Sequence, residues 1–136
     1  MKKRAIVLAV LLTVITAIPI SEQVDVAVTV KHQGKMPTRA TMEQKIANKA
    51  MARAYARAGW GWDKREQKCI WLIFMKESKF DHLAKNSRGS SAYGIAQLLG
   101  EKSSDPSIQL LHAFRYIEHR YGTPCRAWAH HRKGWY

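Results

Sequence analysis

The stretch WLIFMKESKF, residues 71–80, puts a carboxylate, Glu77, on a stripe of apolar side chains. Glu77 lies seven residues after Ile70, four after Ile73 and three after Phe74, so on a helix it continues the apolar face. The run from Cys69 to Met75 is apolar nearly all round, the pattern of a buried helix. A carboxyl half buried at the C-terminus of that helix is pressed toward its neutral form twice, by desolvation and by the negative end of the helix dipole. A carboxyl that keeps its proton near neutral pH can protonate a leaving group. The competing expectation is an ordinary helix-end glutamate paired with Lys76, Lys79 or Arg88.

The other reactive side chains offer less. A two-carboxylate glycosidase needs a second acid within reach of the first. Asp81 is expected to cap a turn, whereas Glu101, Asp105 and Glu118 fall in a loop, at an N-cap and on a helix whose apolar face lies elsewhere. Single-glutamate chemistry fits that inventory, although a glutamate that activates water fits it too. Cys69 sits inside an apolar helix, the wrong place for a thiolate, so a Cys–His pair with His130 is disfavoured. His112 and His119, seven apart, lack a third metal ligand, and His130-His131 beside Arg132 and Lys133 reads as a basic surface edge. No metal and no cofactor is expected.

Three blocks, Glu77-Ser78, Ala92-Tyr93-Gly94-Ile95-Ala96-Gln97 and Ala127-Trp128-Ala129-His130, resemble in order and spacing the E-S, G-[LI]-x-Q and A-Y-N pattern of lytic transglycosylases of the soluble-lytic-transglycosylase type. The likeness runs from about Thr41 to the end and is nearest to small secreted or phage-associated members of that superfamily. It implies a small, mainly α domain of the lysozyme-like class, with a long loop after the catalytic helix. It also implies cleavage of the β-1,4 bond between N-acetylmuramic acid and N-acetylglucosamine. Glu77 would be the single catalytic acid and base, closing a 1,6-anhydro ring. Ser78 would hold the Glu77 carboxyl, Tyr93 would wall the site, Gly94 would let backbone approach a sugar, and Gln97 would hydrogen-bond a hydroxyl or acetamido group. The third block departs from the pattern: Trp128, a donor only, replaces Tyr, and Ala129 replaces Asn. A water-using muramidase, or a non-catalytic wall-binding or virion-associated protein on the same scaffold, are the alternatives.

The elements that must position these residues follow from caps and periodicity. Thr41 with Gln44 forms a capping box for a first helix, with apolar positions Ile46, Ala47, Ala50, Ala54 and Ala58, stopped by Gly59. Asp63 with Glu66 opens a second helix from Lys64 to about Lys79. Asp105-Pro106 opens a third, with Ile108, Leu111, Phe114, Ile117 and Tyr121 as apolar positions and Gly122 as its stop. Between the last two lies a loop rich in Ser, Gly and Asn with a short apolar piece, Tyr93 to Leu99.

At 136 residues the chain has room for one domain. Residues 1–21, with Lys2, Lys3 and Arg4 before an apolar run from Ala5 to Ile18, read as a signal peptide or N-terminal anchor. Residues 22–40 read as a linker, with Val24, Val26, Val28 and Val30 in alternation as a weak strand, and residues 41–136 as the domain. Cys69 and Cys125 are an even pair in an exported small domain, where a disulfide is expected. The net charge of +13 leaves, without the three leader cations, 20 cations against 10 acids. In a cytoplasmic protein that balance points to nucleic acid. Export points it instead at anionic cell-wall polymers or lipid surfaces, beside peptidoglycan glycan strands as substrate, with the chain acting as a monomer.

Overall fold

The computed structural model describes residues 37–134. The leader, the alternating valines and Trp135 lie outside the described residues.

Four helices and one small hairpin follow in order: α1 Met42–Ala58, α2 Lys64–Glu77, β1 Ala92–Tyr93, β2 Leu98–Leu99, α3 Pro106–Tyr121 and α4 Pro124–His131. The architecture is therefore mainly α, as the sequence implies. Each helix starts on a local signal. The Thr41 hydroxyl accepts the Gln44 N–H and the Gln44 side chain accepts the Thr41 N–H, a complete capping box. Asp63 accepts the Glu66 N–H, and Asp105 accepts the Ser107 N–H with Pro106 in the first turn. Thr123 and Pro124 repeat that arrangement for α4, which the sequence reading did not foresee.

The buried faces differ from those expected. In α1 the inward row is Asn48, Ala52 and Ala56, while Ile46, Ala47, Ala50, Ala54 and Ala58 face outward, Ile46 with 58% of its surface exposed. Alanine occurs on both sides of this helix, so the choice is made by Met51 and Tyr55, which pack on the core, and by the Asn48 amide. That amide donates to the Phe80 carbonyl at 2.9 Å and meets His82 Nδ1 at 3.1 Å. In α3 the inward row is Gln109, Leu110, Ala113, Phe114 and Ile117, with Ile108 exposed. The core joins these rows to Ile70, Ile73 and Phe74 of α2, to Phe80, Ile95 and Ala96 of the loop, and to Ala127 of α4. Trp60 meets Phe114 edge-on at 5.1 Å, and Trp62 packs beside it.

Helix α2 ends at Glu77, two residues earlier than expected. Lys79 and Phe80 both take left-handed backbone, at φ 57° and 62°, which costs non-glycine residues about 1 kcal/mol each. Burial of Phe80, 1% exposed and edge-on to Phe74 at 5.7 Å, offsets that cost. The reversal sends Asp81 into the interior, where it is fully buried. Its Oδ1 accepts from the backbone N–H of Ala40 and of Leu83, each at 3.0 Å, while Oδ2 faces Arg39 and Lys45 at 3.6 Å. Arg39 and Ala40, expected in the linker, are thus tied to the domain.

The predicted disulfide is present: Cys69 and Cys125 are bridged, with Cα atoms 5.0 Å apart. Beside it Glu66 Oε2 accepts the Cys125 N–H at 2.7 Å. At the opposite ends of the same two helices Glu77 meets His131, so α2 and α4 run side by side in one direction. In the chain-entropy picture such a bridge is worth about 4 kcal/mol.

Candidate active site

Glu77 is the last residue of α2 and His131 the last of α4. Their side chains meet, His131 Nε2 to Glu77 Oε1, at 2.5 Å. Both are largely withdrawn from water, with side-chain exposures of 17% for Glu77 and 7% for His131. The imidazole is stacked on the Trp128 ring at 5.5 Å and 29°, which fixes its plane. Helix α4 is thus the element that supplies Glu77 with its partner: Trp128 and His131, three residues apart, fall on one face. His131 was read from sequence as part of a basic surface edge; its burial corrects that. The signal available was its spacing of four from Ala127, which is completely buried.

Beyond Glu77 opens a cleft of about 770 Å³. Asn86 and Ser90 of the loop, Ala92, Gln97, Leu98 and Leu99 of the hairpin region, and Tyr116 and Arg120 of α3 complete its wall. Among the described residues Glu77 is the one carboxylate lining it. Arg120 sits over the rings of Tyr116 and Tyr121, at 5.7 and 5.6 Å. Burial pushes the Tyr121 phenol up, as does Tyr116 beside it, against the opposing Arg120 charge. Asn86, Ser90, Tyr116 and Arg120 were not read from sequence. Tyr116 and Arg120 carry the helical i, i+4 signature off the apolar row of α3.

The residues expected to line the site around Glu77 divide. Gln97 lines the cleft, but its amide hydrogens go to the Ala84 and Gly94 carbonyls, at 3.0 and 2.9 Å, leaving its oxygen as an acceptor. Ser78 is buried, donating to the Ile95 carbonyl at 2.7 Å and accepting the Asp81 N–H at 3.1 Å, so it ties the helix end to the loop. Gly94, at φ 77°, is closed off by Gln109: a Cβ there would lie 2.3 Å from the Gln109 amide oxygen. That same oxygen accepts the Ile95 N–H at 2.9 Å, and the Gln109 nitrogen donates to the His82 and Ser103 carbonyls. The close approach that requires glycine is therefore to a side chain of α3. Tyr93 lines a neighbouring hollow of about 410 Å³ with Lys85, Ser91, Glu101 and Lys102; Asn86, Ser90 and Ala92 are common to both walls. Its phenol is pushed up by burial and by the charges of Asp81 and Glu101. Trp128, expected to bind substrate, is not among the residues of the cleft wall; its ring stacks on His131, which meets Glu77.

Glu101 meets His112 at 2.8 Å. Burial pushes the Glu101 carboxyl up, but hydrogen bonds from the Ser103 N–H and the His112 ring outweigh it and hold the group below its usual value. Among the described residues no cluster of three His, Cys, Asp or Glu is placed to hold a metal ion, and no helix is long and apolar enough to cross a membrane.

Comparison with protein-family models, with curated proteins and with solved structures finds no match.

Proposed function

We propose that this chain is an exported lytic transglycosylase with a lysozyme-like helical domain that cleaves peptidoglycan glycan strands. The observation that carries the reading is the half-buried Glu77 as the single carboxylate, among the described residues, on the wall of a cleft large enough for sugar rings. Amide, hydroxyl, aromatic and guanidinium groups share that wall, the mixture suited to acetamido, hydroxyl and lactyl carboxylate groups. The disulfide supports an oxidising compartment.

In this mechanism the neutral Glu77 carboxyl passes its proton to the glycosidic oxygen as the bond from the muramic C1 breaks. The resulting carboxylate takes the proton of the C6 hydroxyl, whose oxygen closes on C1 to give the 1,6-anhydro ring and restores the acid. His131, whose Nε2 meets Oε1, holds the carboxyl in one orientation and leaves Oε2 to the substrate; with a proton on Nε2 it also stabilises the carboxylate between the two proton transfers. The test is incubation of the oxidised chain with peptidoglycan and mass spectrometry of the released sugars, with Glu77→Gln as control. Anhydro-muropeptides that vanish in the variant are expected. Reducing ends would show that water is the nucleophile, and the absence of soluble product would leave a wall-binding protein on this scaffold.

A further inference from the structure

Helices α1 and α2 carry a second surface that the cleft does not use. Along α1, Lys45, Lys49, Arg53 and Arg57 recur at every fourth residue, a row in which like charges repel. Lys45 is matched by Asp81. Lys49, Arg53 and Arg57 make no ion pair among the described residues, nor do Lys64 and Lys68 of α2. Arg53, Lys64, Gln67, Lys68 and Trp71 line a hollow of about 400 Å³ between the two helices. Lys49, Arg53 and Trp71 continue the wall into a narrow crevice beside it. Trp71 has 38% of its surface exposed, although it follows the buried pair Cys69 and Ile70 on α2. Among the described residues no acid lines either hollow.

We propose that this hollow is a binding site for a linear phosphodiester polyanion of the cell envelope, with Arg53, Lys64 and Lys68 holding successive phosphates and Trp71 covering the polyol between them. Cations without an ion pair, Arg53 and Arg57 on α1 and Lys64 and Lys68 on α2, are set about 6 Å apart along their helices, a spacing that matches a chain carrying one charge per repeat better than a single compact anion. The site is concave, so an extended chain can enter it and a bilayer surface cannot. An exposed indole in the cationic wall offers an apolar face to carbon-bound hydrogens while its N–H stays available to oxygen. The proposal stands apart from the Glu77 chemistry, since none of these residues lines the cleft.

The test is calorimetric titration of the oxidised full chain with synthetic poly(glycerol phosphate) of about 20 units, repeated over a range of salt. The double variant Arg53→Ala with Lys68→Ala should raise Kd at least about tenfold and flatten the slope of log K against log salt by about 1.5. Trp71→Ala should raise Kd about fivefold, whereas Arg88→Ala with Arg115→Ala, cations removed elsewhere, should change it less than about twofold. Melting curves monitored by circular dichroism establish that each variant is folded. Cleavage of charge-free glycan strands by the Arg53 and Lys68 variant should match the unaltered chain, so loss of glycan cleavage and loss of polyanion binding are separate results. The proposal is overturned if that variant binds the polymer as the unaltered chain does, or if anionic phosphatidylglycerol vesicles or a 20-nucleotide oligothymidylate bind more tightly than the polymer.

Discussion

Glu77 closes α2 and Asp81 stands four residues further on, past the chain reversal, and their surroundings are opposites. Asp81 is fully buried, with one oxygen accepting two backbone N–H groups and the other facing two cations. It belongs to a polar layer in which the Asn48 and Gln109 amides likewise end on backbone groups of the 80–103 segment. Glu77 meets one imidazole and otherwise opens into a cleft. A buried carboxylate surrounded by donors holds a chain in place, because removing it strands those donors. A carboxyl with one partner and one open side is available to exchange a proton.

The largest expected effect comes from breaking the reactive member. Glu77→Gln should lower peptidoglycan cleavage about a thousandfold while shifting the urea midpoint little, since an amide can still accept from His131. Asp81→Ala inverts the pattern: about 3 kcal/mol of stability is lost in urea titration, with Arg39, Lys45 and two N–H groups left without an acceptor. Cleavage per folded molecule should survive. Equal loss of stability in the two variants would dissolve the distinction. His131→Gln should lower kcat by about tenfold with KM nearly unchanged, the pattern of a residue that positions the acid without touching the sugar.

The smallest effect tests a third carboxylate, Glu101, whose folded value lies below its usual 4.5. A depressed carboxylate contributes its stabilisation in full above the unfolded value, and loses it as pH falls through the folded one. Glu101→Gln should therefore cost about 1 kcal/mol at pH 7 and less at pH 3, read from urea midpoints at the two pH values.

Local signals made much of the helical scaffold legible. Thr41, Asp63 and Asp105-Pro106 announce helix starts because a cap acts within three residues of itself. Gly59 and Gly122 mark the ends of α1 and α3 for the same reason. Helix α4 was hidden, since eight residues hold barely two turns of periodicity and its Thr123-Pro124 start follows directly on Gly122. The inward faces of α1 and α3 depended on tertiary partners: nothing near Asn48 or Gln109 in sequence says that their amides are satisfied across 32 and 14 residues. At the site, Glu77 stood out because it interrupts an apolar row. The roles of Ser78, Gly94 and His131 did not, since each is defined by a contact with a distant segment: the Ile95 carbonyl, the Gln109 side chain and Glu77 itself.

The bridge between Cys69 and Cys125 gives this arrangement a history. Of the two helices whose ends bring the acid and its imidazole together, one is joined to the other by a covalent bond that only an oxidising environment makes. A chain newly synthesised among reducing thiols lacks that latch, and α4, eight residues long, is too short to hold its place by helical propensity alone. In the proposed reading, export therefore times the pairing of Glu77 with His131. In the proposed reading, a catalyst able to cut the wall around its own cell acquires its fixed geometry on the side of the membrane where the wall is.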